Sequence, residues 1–318
     1  MATTLVTGAG GFVGAALVRR LLRDGHDVTA VVRPGPTPWR LEELRDDVEV
    51  AAVELRDGEA AAAAVERRRA DWIFHLAAHG AYSWQTDLEQ MIRVNLAATS
   101  AVLDGFARSE GQAFVHSGSS SEYGRKNHAP AETEQLDPNS HYAITKAAAT
   151  HLCRYFARTN RVRAVTLRLY SAYGPWEDPR RLIPTLVSSG LNGAYPPLAD
   201  PTIARDFVYV DDVCEALLQA ASRPGVASDA VINIGRGVQT TLAELVGVAR
   251  TVFALGGEPQ WGTMVDRSWD TDVWVADPRL AASALGWRAT TALEDGLRQT
   301  GEWIAGQGEL RRRYNERG

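Results

Sequence analysis

Short apolar runs rich in β-branched residues alternate with longer alanine- and leucine-rich segments along the first half of the chain. This alternation is typical of βαβ units and a parallel sheet. The pattern predicts buried strands at Leu5–Val6, Val28–Val32, Val48–Val53, Trp72–Leu76, Ala113–His116, Val165–Leu169 and Val231–Ile234. It predicts helices at Val13–Asp24, Ala60–Arg69, Leu88–Arg108 and His141–Arg158.

The pattern changes in residues 173–204, where prolines interrupt any long regular element and indicate a loop-rich insertion. A second insertion is expected at Gly237–Trp274. We therefore expect an α/β fold, a Rossmann-type doubly wound parallel sheet with a smaller, interleaved C-terminal substrate-binding lobe. Residues 1–172 are assigned to the NAD(P)-binding domain, which also receives about 205–236. Residues 173–204 and 237–318 are assigned mainly to the substrate lobe.

The composition is that of an ordinary soluble globular chain, with 318 residues, 45% of them hydrophobic and 23% charged. The net charge of -5 and the lack of a basic run longer than three arginines, such as Arg311–Arg313, argue against a nucleic-acid-binding surface. No apolar stretch is long enough for a membrane span, and no secretory signal is recognised. Two cysteines form no disulfide framework, which fits a cytoplasmic location. His79, His116 and His128 lack metal-ligand spacing, so no metal site is expected.

A glycine-rich turn, Thr7-Gly-Ala-Gly-Gly-Phe-Val-Gly14, follows the first predicted strand and opens the first predicted helix. A dinucleotide fingerprint requires this context, because glycines allow a tight turn and the helix N-terminus presents free N–H groups to a pyrophosphate. A glycine turn without a ligand is the alternative. The expected cofactor contacts are Gly8, Gly10, Gly11, Phe12, Val13 and Gly14.

The end of the second strand carries Arg33, where NAD-binding folds usually place an acid that binds the ribose hydroxyls. A guanidinium suits a 2′-phosphate, which an acid would repel. NADP(H) is therefore favoured over NAD(H). A solvated arginine at a strand end is the alternative.

Tyr142 and Lys146 lie four residues apart, so a helix places them on the same face. A nearby ammonium favours the phenolate and lowers the tyrosine pKa, which makes Tyr142 a candidate acid or base toward a carbinol or carbonyl oxygen. The serine-rich segment Ser117–Gly124 follows the strand that ends at His116. One of its hydroxyls is positioned to polarise a substrate carbonyl beside Tyr142.

Taken together, these motifs resemble the extended short-chain dehydrogenase/reductases, in the branch that acts on nucleotide-diphosphate sugars as epimerases, dehydratases and ketoreductases. The resemblance rests on the glycine turn, His75-Leu-Ala-Ala78, Asn95, Tyr123-Gly124, Tyr142-x-x-x-Lys146, Leu167–Pro175, Arg205–Asp212, Ala276-Asp-Pro-Arg and Leu285-Gly-Trp287. It covers nearly the whole chain.

By position, the resemblance implies that Tyr142 is the acid/base, that Lys146 binds the nicotinamide ribose and lowers the tyrosine pKa, and that Ser119 donates to the sugar oxygen. The further cofactor contacts that it implies are Leu55, Leu76, Ala77, Ala78 and Asn95. The substrate contacts that it implies are Ser120, Ser121, Ser171, Arg205, Arg267 and Asp270, with the two arginines on the diphosphate. Many relatives carry an asparagine in place of Ser171. A homodimer through a four-helix bundle is also implied, built from Leu88–Arg108 and His141–Arg158.

Ser120 and Ser121 occupy the places where 4,6-dehydratases carry their aspartate and glutamate. Glu122 is displaced by one residue and is expected to point to the opposite side of an extended segment. Together with Arg33, this favours NADPH-dependent reduction of a nucleotide-diphosphate 4-keto-6-deoxysugar, with Tyr142 as the proton donor. A nucleotide-sugar 4-epimerase is the alternative, followed by a dehydratase with a relocated base such as Glu122. A non-enzymatic dinucleotide sensor is disfavoured because Tyr142 and Lys146 are both present.

Overall fold

A computed structural model describes residues 1–264 and 271–315. The strands are β1 (Thr3–Thr7), β2 (Asp27–Val32), β3 (Glu49–Ala52), β4 (Trp72–His75), β5 (Ala113–Ser119), β6 (Ala164–Leu169), β7 (Ser171–Tyr173), β8 (Ala204–Arg205), β9 (Phe207–Tyr209), β10 (Val231–Ile234) and β11 (Thr240–Thr241). The α-helices are α1 (Phe12–Arg23), α2 (Gly58–Arg68), α3 (Leu88–Met91), α4 (Ala98–Ser109), α5 (His141–Asn160), α6 (Leu182–Leu191), α7 (Val210–Ser222), α8 (Leu242–Val252), α9 (Leu293–Gly306) and α10 (Gly308–Asn315). Short 3₁₀ helices span Glu42–Leu44 and Ser120–Tyr123, and π-helical turns span Ile92–Ala97 and Ala281–Leu285.

The main sheet has the strand order β10-β6-β5-β4-β1-β2-β3, and its paired strands are all parallel. Each strand predicted from the sequence is present in this sheet. Helices cover both faces: Leu17 and Val213, from α1 and α7, pack on one side, while Val65, Phe106 and Cys153, from α2, α4 and α5, pack on the other. Burial on both faces explains the continuous apolar runs. The predicted doubly wound α/β fold is confirmed.

A second hydrophobic core lies outside this sheet and is built mainly from residues beyond Leu169. It contains Tyr173, Ile183, Leu186, Phe207, Leu245 and Leu297. Two small sheets support it, one pairing β7 with β9 and the other pairing β8 with β11. Of the segment 205–236, α7 and β10 pack on the main sheet, whereas Phe207 and Tyr209 of β9 pack into this second core.

The proline-rich segment contains one regular helix that the sequence analysis did not predict. Helix α6 begins at Leu182 and includes Pro184. Proline is tolerated in the first turn, where the N–H group lacks an intrahelical acceptor in any case. The proline therefore lies at a position that permits the helix instead of breaking it.

The predicted helix Leu88–Arg108 is interrupted by a π-helical turn. The turn Ile92–Ala97 separates α3 from α4, and Asn95 lies buried within it. Such turns carry an extra residue per hydrogen-bonded loop and occur often at functional sites.

Within the described part of the chain, no helix is long and apolar enough to cross a membrane. Residues 1–264 and 271–315 contain no group of three or more His, Cys, Asp or Glu side chains arranged to hold a metal ion. Cys153 and Cys214 are buried free thiols.

Candidate active site

The glycine-rich turn joins the end of β1 to the start of α1 at the carboxyl edge of the sheet. Gly8 has a φ of +69°, and a Cβ there would lie 2.6 Å from the backbone nitrogen of Ala77. A Cβ on Gly14 would overlap the carbonyl oxygen of Gly8. Both positions require glycine, so the turn draws the helix close to the loop that follows β4.

The N-terminus of α1 is suited to an anion. The helix begins at Phe12 after Gly11, no side chain caps it, and its first turn carries no acidic residue. Its free N–H groups and helix dipole therefore favour a negatively charged ligand. The turn and the helix together fit the pyrophosphate of a dinucleotide.

The ends of β2, β3 and β4 lie beside this turn and carry the other predicted cofactor residues. Arg33 is exposed after β2, Leu55 follows β3, and Leu76–Ala78 follow β4. Hydrogen bonds from Arg56 hold the pKa of Glu54 at about 2, and the positive charge of Arg33 contributes to the same shift. Arg33 therefore lies close to a carboxylate, although that carboxylate is already paired with Arg56.

Asn95 connects the loop after β4 to the helix that carries Tyr142. Its Oδ1 accepts from the His79 backbone N–H at 2.7 Å, and its Nδ2 donates to the His79 carbonyl at 2.8 Å. The same Nδ2 donates to Thr145 Oγ1 at 2.9 Å. The π-helical turn thus gives Asn95 a structural role between the loop after β4 and α5.

Tyr142 and Ser119 meet where α5 passes the end of β5. Burial raises the pKa of Tyr142 to about 12, while a hydrogen bond with the Ser119 side chain acts in the opposite direction. Ser119 Oγ also lies 2.8 Å from Ser121 Oγ. The phenol is therefore protonated near neutral pH and sits beside a second hydroxyl, an arrangement that can deliver a proton to a substrate oxygen.

Lys146 lies one helical turn from Tyr142 and is 1% exposed. Its Nζ lies 3.2 Å from His116 Nε2. Burial lowers the pKa of Lys146 to about 8. Burial is the largest cause of the shift in the Tyr142 pKa, and the Lys146 ammonium is directed to His116, so the expectation that Lys146 lowers the tyrosine pKa stays a prediction.

The serine-rich turn is a 3₁₀ helix rather than an extended segment, and Glu122 points inward from it. Glu122 is fully buried, and its Oε2 accepts from Arg168 Nε at 2.8 Å. Its Oε1 accepts from the Ser119 N–H at 2.8 Å and from Thr150 Oγ1 at 3.0 Å. The expectation of an outward-pointing Glu122 assumed an extended segment, which this turn is not; its carboxylate lies close enough to Tyr142 to affect that pKa, and its oxygens are committed to Arg168, Ser119 and Thr150.

Two residues from the later part of the chain also lie near this turn. Trp274 Nε1 donates to Ser120 Oγ at 3.2 Å, and the Arg205 guanidinium lies 5.4 Å from the Trp274 ring centre. A cleft opens between Ser120, Tyr170 and Trp274. Ser171 lies on β7, and its N–H donates to the Asp206 carbonyl. The predicted contacts Arg267 and Asp270 lie outside the described residues.

Three features of the site were not predicted. The sequence marks His116 only as a histidine without metal-ligand spacing, whereas it lies opposite His75 in the parallel register of β4 and β5. Arg168 neutralises Glu122 from β6. Tyr82 and Arg181 both influence the pKa of Tyr142 and therefore lie near it. No local motif marks these residues, because long-range packing brings them together.

Comparisons with known proteins identify a family and a set of relatives for the whole chain. A model of a family described as the NAD dependent epimerase/dehydratase family matches residues 4–235. The dTDP-glucose 4,6-dehydratase of Streptomyces antibioticus is 29% identical over 310 residues, which cover 94% of this chain and 91% of the relative.

Among solved structures, UDP-glucose 4-epimerase from Thermotoga maritima aligns with a TM-score of 0.85 at 26% identity, over 95% of this chain and 98% of that chain. MoeE5, whose structure contains UDP-glucose and NAD, aligns with a TM-score of 0.82 at 32% identity, again over 95% and 98% of the two chains. Both relatives share the fold along nearly its whole length.

Proposed function

The chain belongs to the NAD dependent epimerase/dehydratase family, and on that premise we propose that it is a nucleotide-sugar 4-epimerase that binds NAD. The observation that carries the proposal is the Ser119–Tyr142 pair at the turn Ser120–Tyr123, whose one acid, Glu122, is buried in an ion pair with Arg168. This site handles a proton on a sugar oxygen, and the turn offers no base for a carbon-bound proton. The 4-epimerase and NAD-bound relatives support the same choice.

In this proposal six of the predicted residues have defined tasks. Gly8, Gly11 and Gly14, with the N-terminus of α1, hold the pyrophosphate of the dinucleotide, and Lys146 donates hydrogen bonds to its ribose. The dinucleotide, when bound, supplies the hydride chemistry at the sugar carbon. Tyr142, in its phenolate form, accepts the C4 hydroxyl proton while C4 is oxidised and returns it while the keto group is reduced, and Ser119 stabilises the charge that develops on that oxygen.

Elimination of the kind performed by 4,6-dehydratases is less well supported, although dehydratases are among the relatives. The acids that such chemistry uses are replaced by Ser120 and Ser121. Glu122, the relocated base that the sequence suggested, is fully buried and paired with Arg168. The serine-rich turn therefore supplies hydroxyl groups to the substrate and no carboxylate.

Reduction of a 4-keto-6-deoxysugar by NADPH is the second candidate, and Arg33 favours it. This guanidinium is exposed directly after β2, at the place where an acid usually selects NAD. It is available to pair with a 2′-phosphate. The NAD found in MoeE5 argues in the opposite direction, which is why this candidate comes second.

One experiment separates the two candidates. Purified protein is incubated with UDP-glucose and NAD, and the sugar products are resolved by chromatography while absorbance at the nicotinamide band is followed. An epimerase interconverts the C4 epimers without net change in the cofactor. NADPH oxidation with a nucleotide 4-keto-6-deoxysugar, with no epimerisation, overturns the first proposal in favour of the second. Tighter binding of NADH than of NADPH overturns the argument from Arg33.

We also propose that residues 173–204 and 237–318 form most of a substrate-binding lobe and that two chains pair through α3 to α5. The second hydrophobic core supports the lobe division, since most of its side chains come from those segments. Exposed Ile92 and Ile144 lie on the two helical segments expected in the bundle and support the pairing.

A further inference from the structure

The chain contains only two lysines, Lys126 and Lys146. Lys146 is enclosed at the base of the candidate active site, where its side chain is 1% exposed. A buried ammonium is costly unless its N–H groups find acceptors. The group that accepts a hydrogen bond from Lys146 therefore determines the position of the ammonium relative to Tyr142.

The Glu122 carboxylate does not accept a hydrogen bond from the Lys146 ammonium. Glu122 attracts the Lys146 ammonium electrostatically. Its Oε2 is bonded to Arg168, however, and its Oε1 already accepts from Ser119 and Thr150. Among the described residues, His116 is the side chain that hydrogen-bonds Lys146, with Nζ 3.2 Å from Nε2.

This contact fixes the proton on the His116 ring. Because an ammonium can only donate, Nε2 must present its lone pair, and the ring proton must reside on Nδ1. His116 Nδ1 lies 3.2 Å from Thr166 Oγ1, which can accept that proton. The Thr166 hydroxyl in turn hydrogen-bonds the Cys153 side chain. A chain of buried groups thus continues from Lys146 through His116 to Thr166 and Cys153.

The surroundings of His116 also keep its imidazole ring neutral. Burial lowers the pKa of His116 well below its usual value, and the charges on Lys146 and His75 act in the same direction. The groups that face Lys146 are His116 from β5, Glu122 from the 3₁₀ turn, Cys153 from α5 and His75 from β4.

We propose that His116 is a positioning residue that holds the Lys146 ammonium in place through the lone pair of its Nε2. The inference rests on the proposed function, which gives Lys146 the task of binding the dinucleotide ribose. His116 itself contacts neither substrate nor cofactor in this scheme. It acts through Lys146, and its loss alters the protonation and direction of that side chain.

The first test uses the unchanged protein. ¹⁵N NMR of labelled histidine reports which ring nitrogen carries the proton. We expect a neutral His116 near neutral pH with its proton on Nδ1. A proton on Nε2, or a doubly protonated ring, would overturn the proposal. Because no substitution is made, a folding defect cannot confuse this result.

The second test measures Lys146 directly in His116→Phe, His116→Gln and His75→Phe. With lysine labelled at Cε, the protein gives two titrating signals, and Lys126 serves as the internal reference. We expect His116→Phe to lower the Lys146 midpoint by about one pH unit or more, because a buried charged donor loses its acceptor. His116→Gln restores an acceptor and should return the Lys146 midpoint most of the way to that of the parent. His75→Phe is the matched control, because His75 is equally buried but bonds Thr7 and Thr99.

An unchanged Lys146 midpoint in His116→Phe, or an equal shift in His75→Phe, overturns the proposal. If His116→Phe does not fold, the Lys146 midpoint in His116→Gln and the protonated ring nitrogen of His116 in the parent still test the proposal. The midpoint is measured without substrate, so failure of the epimerase proposal leaves this result unaffected. Dinucleotide affinity, measured in parallel by calorimetry, is expected to fall about tenfold in His116→Phe and to recover in His116→Gln.

Discussion

The carboxylate of Glu122 determines what the serine-rich turn can do chemically. It is fully buried against Arg168, whose side chain is 3% exposed. Replacing Glu122 with Gln leaves Arg168 as a buried charge without its counter-ion, so we expect the free energy of unfolding to fall by about 3–5 kcal/mol. Denaturant unfolding measures this loss. We expect the folded fraction to retain most of its turnover.

Glu66 provides the matched control for this substitution. It pairs with Arg108 on the surface, where both side chains are about half exposed. Glu66→Gln should therefore change the free energy of unfolding by about 1 kcal/mol or less. A Glu122→Gln protein that is as stable as the parent but inactive would instead identify Glu122 as a catalytic residue.

Tyr142 carries the proton in the proposed reaction, so its hydroxyl should matter for turnover and little for binding. We expect Tyr142→Phe to lower kcat by about 10²- to 10⁴-fold, the usual contribution of a positioned acid or base. Dinucleotide affinity, measured by calorimetry, should stay near that of the parent. Tyr155→Phe is the control, since Tyr155 lies on the same helix but is 66% exposed. Retained turnover in Tyr142→Phe would remove the phenol from the mechanism.

The protonation of Lys146 sets the alkaline limit of activity. Burial lowers the pKa of Lys146 to about 8, so the ammonium is present below that pH and lost above it. In the proposed function the ammonium donates hydrogen bonds to the ribose, so we expect kcat/KM to fall as the pH rises through about 8. Tyr142 does not cause this fall, since burial raises the pKa of that phenol to about 12. A pH–rate profile that stays flat to about pH 10 would contradict this role.

At the scale of elements, the glycine turn is where sequence and structure agree most closely. A Cβ on Gly14 would overlap the Gly8 carbonyl, so Gly14→Ala must displace the first turn of α1. We expect dinucleotide affinity to fall about 10- to 100-fold, which corresponds to the usual cost of forcing a methyl group into a packed site. Calorimetry with NAD measures the effect.

Gly247 is the matched control for this substitution. It lies inside α8, and a Cβ there would meet no atom within 4 Å. Gly247→Ala should raise the free energy of unfolding by about 0.5–1 kcal/mol and leave dinucleotide affinity unchanged. Equal dinucleotide binding by Gly14→Ala and the parent would show that the turn does not hold the cofactor.

The elements that the sequence predicted are those with local signals. The strands of the main sheet are short apolar runs, and the glycine turn and the Tyr142/Lys146 spacing are each confined to a few residues. The pair of Glu122 and Arg168 spans 46 residues, and that of His116 and Lys146 spans 30. Their partners depend on how β5, β6 and α5 pack together, and no pattern along one segment encodes that packing. The π-helical turn around Asn95 likewise leaves the helical periodicity of its segment nearly intact.

At the scale of the whole molecule, the net charge of -5 says little about the ligand. The sites that suit phosphate are local: the uncapped N-terminus of α1 follows β1 at the carboxyl edge of the sheet, and Arg205 lies beside Trp274. Ser119 is the last residue of β5, and Tyr142 lies in the first turn of α5. In the proposed reaction, a sugar nucleotide with its diphosphate near Arg205 and a dinucleotide with its pyrophosphate at α1 meet at these two side chains.

The outer surface of α3 to α5 exposes several large apolar side chains. Ile144 and Tyr155, 11 residues apart, fall on one face of α5 and are 50% and 66% exposed, while Ile92 is 44% exposed on the adjoining helical segment. If two copies pair there, Ile144→Glu places a charge inside the bundle and should shift the protein from dimer to monomer in light scattering. Val238→Glu is the control, because Val238 is 48% exposed but lies outside these helices. A dimer that withstands Ile144→Glu, or a parent protein that is already monomeric, would show that these helices do not pair. The apolar face of α5 would then remain exposed to solvent in the folded protein.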